Sequence, residues 1–547
     1  MRARRRLYAF LALGVLIVLA WECGPGRRYA EEDPGSVRAE LRKPHTPEEV
    51  RDILQPDRLP SIGETAEIAG LEPQPVIGLS LVTGLGDRGS QKRNVAREVV
   101  SAVRKNLMRE EGREIEETRN MMEGLDSSIV EVHGQVPAGT AVGDRFDVAV
   151  RPLDSAVSLD GGRLHRTSLR RVLVRDQSSV AGDVVAMAEG RVAAGAAQDK
   201  QIISTSGSPR VGLVFDGGTY EAERVLFVRL KERYASGRRA VLIEYLINKR
   251  FQRVGLAPGA SSVNYATALT SRTVRLRIPP PYRGRTRRFA DVVRALEGRF
   301  LYGQPPASRL AELARALEEG DPEEKYEASV ALEAVGEPAV EYLRQAGGDG
   351  WTRLYSGVAL AYLNRPEGRQ RVIDACESDI EQVRYQAVSF LKNLSGRSVI
   401  QALRAKVFDE SGRISIEAVR GLIEHGEENA RLVRLAGFDL VALRGTEEGL
   451  IVKSYGRPMI VVASIGVPLV GDVELNVADI GIGSLGENQV GIVTGSGRGA
   501  ETVSVEATVD NVLAAVVQAD PSFEEVRKVV AALEDAGHLP YEVAWLE

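Results

Sequence analysis

The sequence is poor in the residues that most often do chemistry. Two Cys and five His are scattered over 547 residues, too few and too far apart for the Cys/His sets that hold structural or catalytic zinc. Cys23 lies beside the N-terminal segment, which leaves Cys376 without an intrachain partner and excludes a disulfide framework. Aromatics make up only 5%, so no single large aromatic core is expected. The net charge of −5 lacks the basic excess of a nucleic-acid binder, and nucleic acid is excluded as a partner. No apolar run reaches the roughly 20 residues of a membrane-spanning helix.

The longest apolar run, Leu7 to Trp21, follows Arg2, Arg4, Arg5 and Arg6. A basic segment ahead of such a run is an export signal. Val18-Leu19-Ala20 offers a cleavage site, and Cys23-Gly24 is similar to a lipoprotein cysteine, although Trp21-Glu22 departs from that pattern. Residues 1–23 are therefore a signal peptide or an N-terminal anchor, and both readings place the remainder outside the cytoplasm.

Residues 24–75 hold eight of the 24 prolines and no apolar period, which reads as a tether. Residues 76–303 alternate short strands (Val76–Val82, Ser128–Gly134, Asp144–Val150, Val184–Ala188, Val211–Phe215, Thr273–Ile278) with helical stretches, an α+β region of small mixed units. Residues 304–435 turn helical and repeat themselves. Ala331-Leu332-x-x-Val335 recurs at Ala359, Ala387 and Ala418, each unit being two short helices that cannot bury their own apolar face. Stacked units of this length make an α-solenoid and are similar to HEAT repeats. Strands return over residues 436–547, which end in two helices, Val509–Gln518 and Ser522–Ala536, the second opened by Asp520-Pro521-Ser522 with Glu524-Glu525 in its first turn.

Motifs for an active site fail one by one. Gly84-x-Gly86-x-x-Gly89 follows a strand and precedes a helix, as a dinucleotide fingerprint requires. The pattern recurs at Gly481, Gly483 and Gly486, and at this glycine content chance supplies about 0.5 matches per chain of this length. Ser90-Gln91 stands where a P-loop needs Lys-Ser/Thr. There is no His-Glu-x-x-His, and Gly495-Ser496-Gly497 is not a nucleophile elbow. No catalytic, cofactor-binding or metal-ligating residue is assigned, and no cofactor is expected. Arg170-Arg171 and Arg283 to Arg288 are basic clusters that suit phosphate, peptidoglycan carboxylates or an acidic neighbour. A solvated loop is the alternative, since 60 of the 71 basic residues are Arg.

The order of segments carries a resemblance. Ile77-Gly78-Leu79-Ser80-Leu81-Val82-Thr83-Gly84-Leu85-Gly86-Asp87, then Pro137-Ala138-Gly139 through Gly143-Asp144-Arg145-Phe146-Asp147-Val148-Ala149-Val150, then Ala156-Val157-Ser158-Leu159-Asp160-Gly161-Gly162-Arg163-Leu164, then Val184 to Gly190 and Arg272 to Pro279, resembles the bacterial flagellar P-ring protein family. Ala536-Gly537-His538-Leu539 is similar to that family's C-terminal ending. The helical block is not part of the family pattern and reads as an insertion, an added interaction arm of unknown partner. The resemblance implies a non-enzymatic subunit of a periplasmic ring around the flagellar rod. Its implied partners are copies of itself, rod and outer-membrane L-ring proteins, and peptidoglycan. A membrane-tethered envelope scaffold not tied to motility is the alternative, and an exported nucleotide-dependent enzyme using Gly84 to Gly89 is a third reading.

Overall fold

The computed structural model describes residues 60–90, 94–175, 178–194, 211–222, 225–252, 263–298, 307–426, 428–435, 438–454, 457–477, 479–486, 488–494, 501–519 and 521–546. The export segment, Cys23 and most of the expected tether lie outside them. The final part of that tether is a correction. Ser61 caps a short helix α1 (Ile62–Thr65), followed directly by strand β1 (Ala66–Ala69). The proline count hid this strand because its partner is more than 150 residues away.

Next come β2 (Gln74–Thr83), helices α2 (Arg97–Glu111) and α3 (Ile115–Glu123), and strands β3 (Ser128–Val136), β4 (Arg145–Pro152), β5 (Arg163–Arg175), β6 (Ser178–Arg191), β7 (Ala193–Ala194) and β8 (Gly212–Tyr220). Six of these strands run β4-β3-β2-β5-β6-β8, every pair antiparallel, and β8 returns to pair with β4. The sheet is thus closed and leaves no edge along that circuit. Period-two alternation sends Val130, Val132, Val148 and Val150 inward, and a register shift in β5 lets Leu164 and Leu169 join them. Phe146 fills the interior against bare backbone, since a Cβ at Gly134 or Gly218 would run into its ring. The opposite face of β2 and β3 presents Leu81 and Ile129 to Val99, Val103 and Leu107 of α2, which recur at helical spacing.

Strand β1 then pairs with β9 (Leu226–Leu230), which leads to α4 (Gly237–Phe251) and the strands β10 (Ala266–Ala268) and β11 (Thr273–Leu276). They form a four-stranded antiparallel sheet ordered β1-β9-β11-β10. Pro279 to Pro281 end the last strand, because proline lacks the N–H that a ladder needs. Helix α5 (Thr286–Ala295) follows and buries Phe289, Ala290, Val292 and Val293.

The helical block comprises α6 (Ala307–Glu319), α7 (Pro322–Val335), α8 (Val340–Gln345), α9 (Gly350–Tyr362), α10 (Pro366–Ala375), α11 (Glu381–Leu391), α12 (Arg397–Ala405) and α13 (Gly412–Glu424). Helices α7, α9, α11 and α13 pack one on the next, while α6, α10 and α12 cover their other side. Asp321 caps α7 with a reciprocal bond from Glu324, and Asp349 caps α9.

The C-terminal part begins earlier than the expected boundary at residue 435, with β12 (Ala430–Arg434), then β13 (Asp439–Leu443), β14 (Gly449–Lys453) and β15 (Met459–Ala463). After these come β16 (Glu474–Val477), β17 (Ile480–Gly486), β18 (Gln489–Thr494), β19 (Glu501–Glu506), α14 (Val509–Gln518), α15 (Phe523–Asp535) and β20 (Val543–Leu546). A mixed sheet β12-β13-β15-β14-β20 shares a core with the antiparallel meander β16-β17-β18-β19. Strands β14 and β15 are buried throughout, as the apolar runs Leu450–Val452 and Met459–Ala463 require, and the Lys453 ammonium that ends β14 donates to the Arg457 carbonyl at 2.8 Å. Their alternate side chains serve two cores: Ile451, Met459 and Val461 join the helical block, while Leu450, Val452 and Ile460 join α14 and α15. Ser522 and Glu525 form the capping box that opens α15. The α+β class holds. Among the described residues no helix is long and apolar enough to cross a membrane.

Candidate functional site at the junction of the helical block and the αβ core

The basic motif Arg283 to Arg288 lies against the helical block. Arg288 is buried and its guanidinium donates twice to Glu333 Oε2 of α7, at 3.0 and 2.6 Å. Glu333 is fully enclosed as well, and its second oxygen accepts the Tyr282 hydroxyl. Burial, with the Glu333 carboxylate beside it, pushes the Tyr282 pKa well up, so this hydroxyl stays a donor. Arg250 at the end of α4 donates from Nε and Nη2 to the backbone carbonyl of Glu333, at 3.0 and 2.9 Å. Arg285 reaches α11, donating to the carbonyl and to the hydroxyl of Ser389. Its guanidinium lies 4.4 Å over the Phe390 ring.

Apolar packing surrounds these charges. Phe251, Tyr282 and Phe289 meet edge-on or tilted at 5.1–5.7 Å, and Tyr362 of α9 stacks on Tyr282 at 4.5 Å. Each such ring contributes on the order of 2 kcal/mol by burial. The apolar core runs without interruption from the β1-β9-β11-β10 sheet through the helical block to the C-terminal sheet, while the barrel interior is a separate cluster.

The sequence repeat accounts for the placement of these partners. In the Ala-Leu-x-x-Val register the two x positions hold Glu333 and Ala334, Ala361 and Tyr362, then Ser389 and Phe390. Four of these six side chains (Glu333, Tyr362, Ser389 and Phe390) engage Tyr282, Arg285 or Arg288. Equivalent positions one repeat apart face the same way on stacked helices. The basic cluster is therefore not a free loop here. Arg285 and Arg288 are engaged by the chain's own helices, and Gly284 sits beside Asn393. Arg170 and Arg171, the other cluster, lie on β5, where the Arg170 guanidinium donates to the Gly182 carbonyl at 3.3 Å.

A second junction joins the barrel to the C-terminal sheet. Asp216 of β8, at φ +49°, accepts Arg434 at 3.3 Å and Arg457 at 3.4 Å. Arg457 also bonds Asp439 at 2.6 Å and lies 4.8 Å over Phe215. Burial raises the pKa of Asp147 and Asp439 here, against the pull of Arg457. Nothing in sequence spacing signals this cluster, because its members come from β4, β8, the end of β12, β13 and the turn between β14 and β15.

A third polar cluster has the atom order of a hydrolytic triad. Thr83 Oγ1 lies 2.8 Å from His165 Nε2, and His165 Nδ1 lies 3.0 Å from Glu111 Oε1. Its other bonds identify its work. Glu111 also accepts the Arg166 backbone N–H at 2.9 Å and Arg113 at 2.6 Å, and Ser80 donates to the His165 carbonyl at 2.8 Å. Beside it Asn106 donates to the Leu79 carbonyl and Arg109 to Ser168, so the end of α2 is bracketed to β2 and β5. His165 is buried, and burial lowers its pKa, so it is neutral.

The glycine loop also has a structural task. Leu85 and Ser90 donate their N–H groups to the carbonyls of Asp126 and Ser127, at 2.9 Å each. Gly89 touches the backbone of residues 125–127 with no room for a Cβ. Helix α2 begins only at Arg97, so its N-terminus is not at the loop and the dinucleotide geometry is not formed. Gly481, Gly483 and Gly486 lie within antiparallel β17. His133 meets Glu131 at 2.9 Å and His538 meets the Val470 carbonyl at 2.8 Å. Among the described residues no group of three or more His, Cys, Asp or Glu could hold a metal.

The fold is thus a closed barrel and an αβ layer bound to a helical stack, with buried ion pairs at the contacts between units. Residues 61–299 match the family model described as Flagellar P-ring protein, which shows the family resemblance over that segment. It starts close to α1, ahead of the residues that carried the resemblance in the sequence, and stops before the helical block. The C-terminal likeness around Ala536 to Leu539 lies outside it. The chain is 27% identical over 227 residues to the flagellar P-ring protein of Sulfurimonas denitrificans, covering 40% of this chain and 57% of that one. It is 28% identical over 228 residues to that of Aquifex aeolicus, covering 40% and 57%. With that of Rhodopseudomonas palustris strain HaA2 it shares 29% over 247 residues, covering 43% and 60%. The chain thus spans less than two thirds of the length of these relatives.

Proposed function

We propose that the chain is a structural subunit of a P-ring-like ring in the flagellar basal body, exported to the periplasm and assembled around the rod. One observation carries this reading: the family match, residues 61–299, runs over a whole succession of elements, from α1 through the barrel to the end of α5. The likeness is therefore to an ordered set of elements and not to one motif. A ring requires a heterologous interface that closes, with two different faces on each copy. The partners are copies of the chain itself, rod proteins, outer-membrane L-ring proteins and peptidoglycan. No catalytic step and no cofactor enter this role. Helices α6 to α13 are HEAT-type repeats in this reading, inserted between the family segment and the C-terminal sheets.

Negative-stain imaging with mass photometry of the exported protein tests the proposal. Rings or arcs of uniform curvature are expected, together with loss of swimming when the gene is deleted. A monomer at high concentration in the presence of rod protein and peptidoglycan would overturn it. Rings without a motility defect would point instead to an envelope scaffold.

A further inference from the structure

The junction gathers one buried arginine, Arg288, and two half-buried ones, Arg250 and Arg285, around a single buried carboxylate, Glu333. The three arginines converge on it, but the Glu333 carboxylate meets Arg288 alone, since Arg250 donates to the Glu333 backbone carbonyl and Arg285 to Ser389. Glu333 already accepts two hydrogen bonds from Arg288 and one from Tyr282. The acids nearest Arg285 along the helical block, Glu417 and Glu424, are each paired with Lys392 at 3.2 Å. Among the described residues, no carboxylate forms an ion pair with Arg285.

Three donors at this place are buried without an acceptor: Arg285 Nε, Arg288 Nη1 and the Tyr362 hydroxyl. Arg288 is 3% exposed and Tyr362 is 6% exposed. The three are neighbours. The Arg288 guanidinium lies 5.4 Å from the Tyr362 ring and 5.8 Å from the Phe390 ring, while that of Arg285 lies over the same Phe390 at 4.4 Å. A partly desolvated guanidinium without a counter-charge is costly, and so is a buried donor left unmet. Nearby polar groups do not relieve this, since Ser389 already accepts from Arg285. Arg285 is only half-buried, which leaves a route from solvent.

We propose that the junction between α5 and the helical block binds a small monovalent anion, of the halide class, held by Arg285, Arg288 and the Tyr362 hydroxyl. A water molecule would satisfy the donors but not the charge. The anion closes both deficits and locks the helical block to the αβ layer.

The test uses the full chain. Thermal unfolding is followed while sodium chloride replaces sodium gluconate at constant ionic strength, so that general screening is unchanged. A saturable rise in Tm is expected, because a ligand that binds only the folded state stabilises it. Tyr362→Phe removes one donor while keeping the stacked ring, and should raise the half-saturating chloride concentration by about tenfold. Arg285→Gln should abolish the rise; if that variant fails to fold, Tyr362→Phe still decides. Crystals grown in sodium bromide should show an anomalous peak in hydrogen-bonding reach of Arg288 Nη1 and the Tyr362 hydroxyl. A Tm indifferent to chloride, an equal response in Tyr362→Phe, or a bromide-free junction holding only water would each overturn the proposal.

Discussion

Replacing Glu333 by Gln gives the sharpest perturbation of the junction. The side chain keeps its shape and an acceptor for Tyr282, so packing and one hydrogen bond survive. The charge is lost together with both Arg288 hydrogen bonds, because an amide NH2 replaces Oε2, and Arg288 at 2% side-chain exposure is left without its anion. Breaking a buried ion pair from one side costs about 3–5 kcal/mol, most of it the penalty of an uncompensated buried charge. Glu333→Met combined with Arg288→Met removes both charges and should return stability to within about 1 kcal/mol of the parent. Hydrogen exchange at the α7 amides, with urea unfolding alongside, measures the difference in the unit concerned. Because the helical block and the β1-β9-β11-β10 sheet share one core, both should loosen together in Glu333→Gln, while the barrel amides keep their protection. A loss below about 1 kcal/mol, or a double variant no better than the single one, would refute the reasoning.

Further outcomes follow from other parts of the fold. Gly89→Ala should destabilise by about 1–3 kcal/mol, since its Cβ meets rigid backbone, including the Asp126 carbonyl carbon at 2.8 Å. Gly86→Ala, at φ +59° with open space around it, should cost only about 1 kcal/mol in the same thermal melt. Burial holds the His165 pKa below its ordinary 6.5, so the unfolded chain binds the proton first and stability falls as pH drops below about 6.5. A His165→Gln variant should show a flatter Tm-against-pH curve between pH 7 and 5.5; an unchanged slope would exclude His165 as the cause. Burial pushes the Cys376 thiol up to about 12 and encloses it, so peptide mapping should find it unmodified by maleimide in native protein and fully modified in urea.

Local signals foretold most single elements, because they depend on neighbours in sequence. The cap at Ser522 and the four-fold Ala-Leu-x-x-Val register are read within one or two turns of chain. Strand β5 was not foreseen, although it is the longest partner of β2. Its Arg163, Arg166, Arg170 and Arg171 broke the apolar alternation, and only pairing along both edges makes it a strand. Strand β1 was hidden in the same way, by a partner beyond the reach of any window.

By itself the sequence determined the export segment as an expectation, the α+β class and the order of motifs between Ile77 and Pro279 that resembles the P-ring family, a segment inside the family match at residues 61–299. It also held the repeat whose x positions include Glu333, Tyr362, Ser389 and Phe390, which meet the arginine cluster. Tertiary structure decided what those positions touch. The Arg283–Arg288 motif reads as a solvent-facing basic patch until α7 and α11 are brought against it. Burial then turns two of its arginines into internal ligands of the helical block, because a charge removed from water must find its partner within the protein.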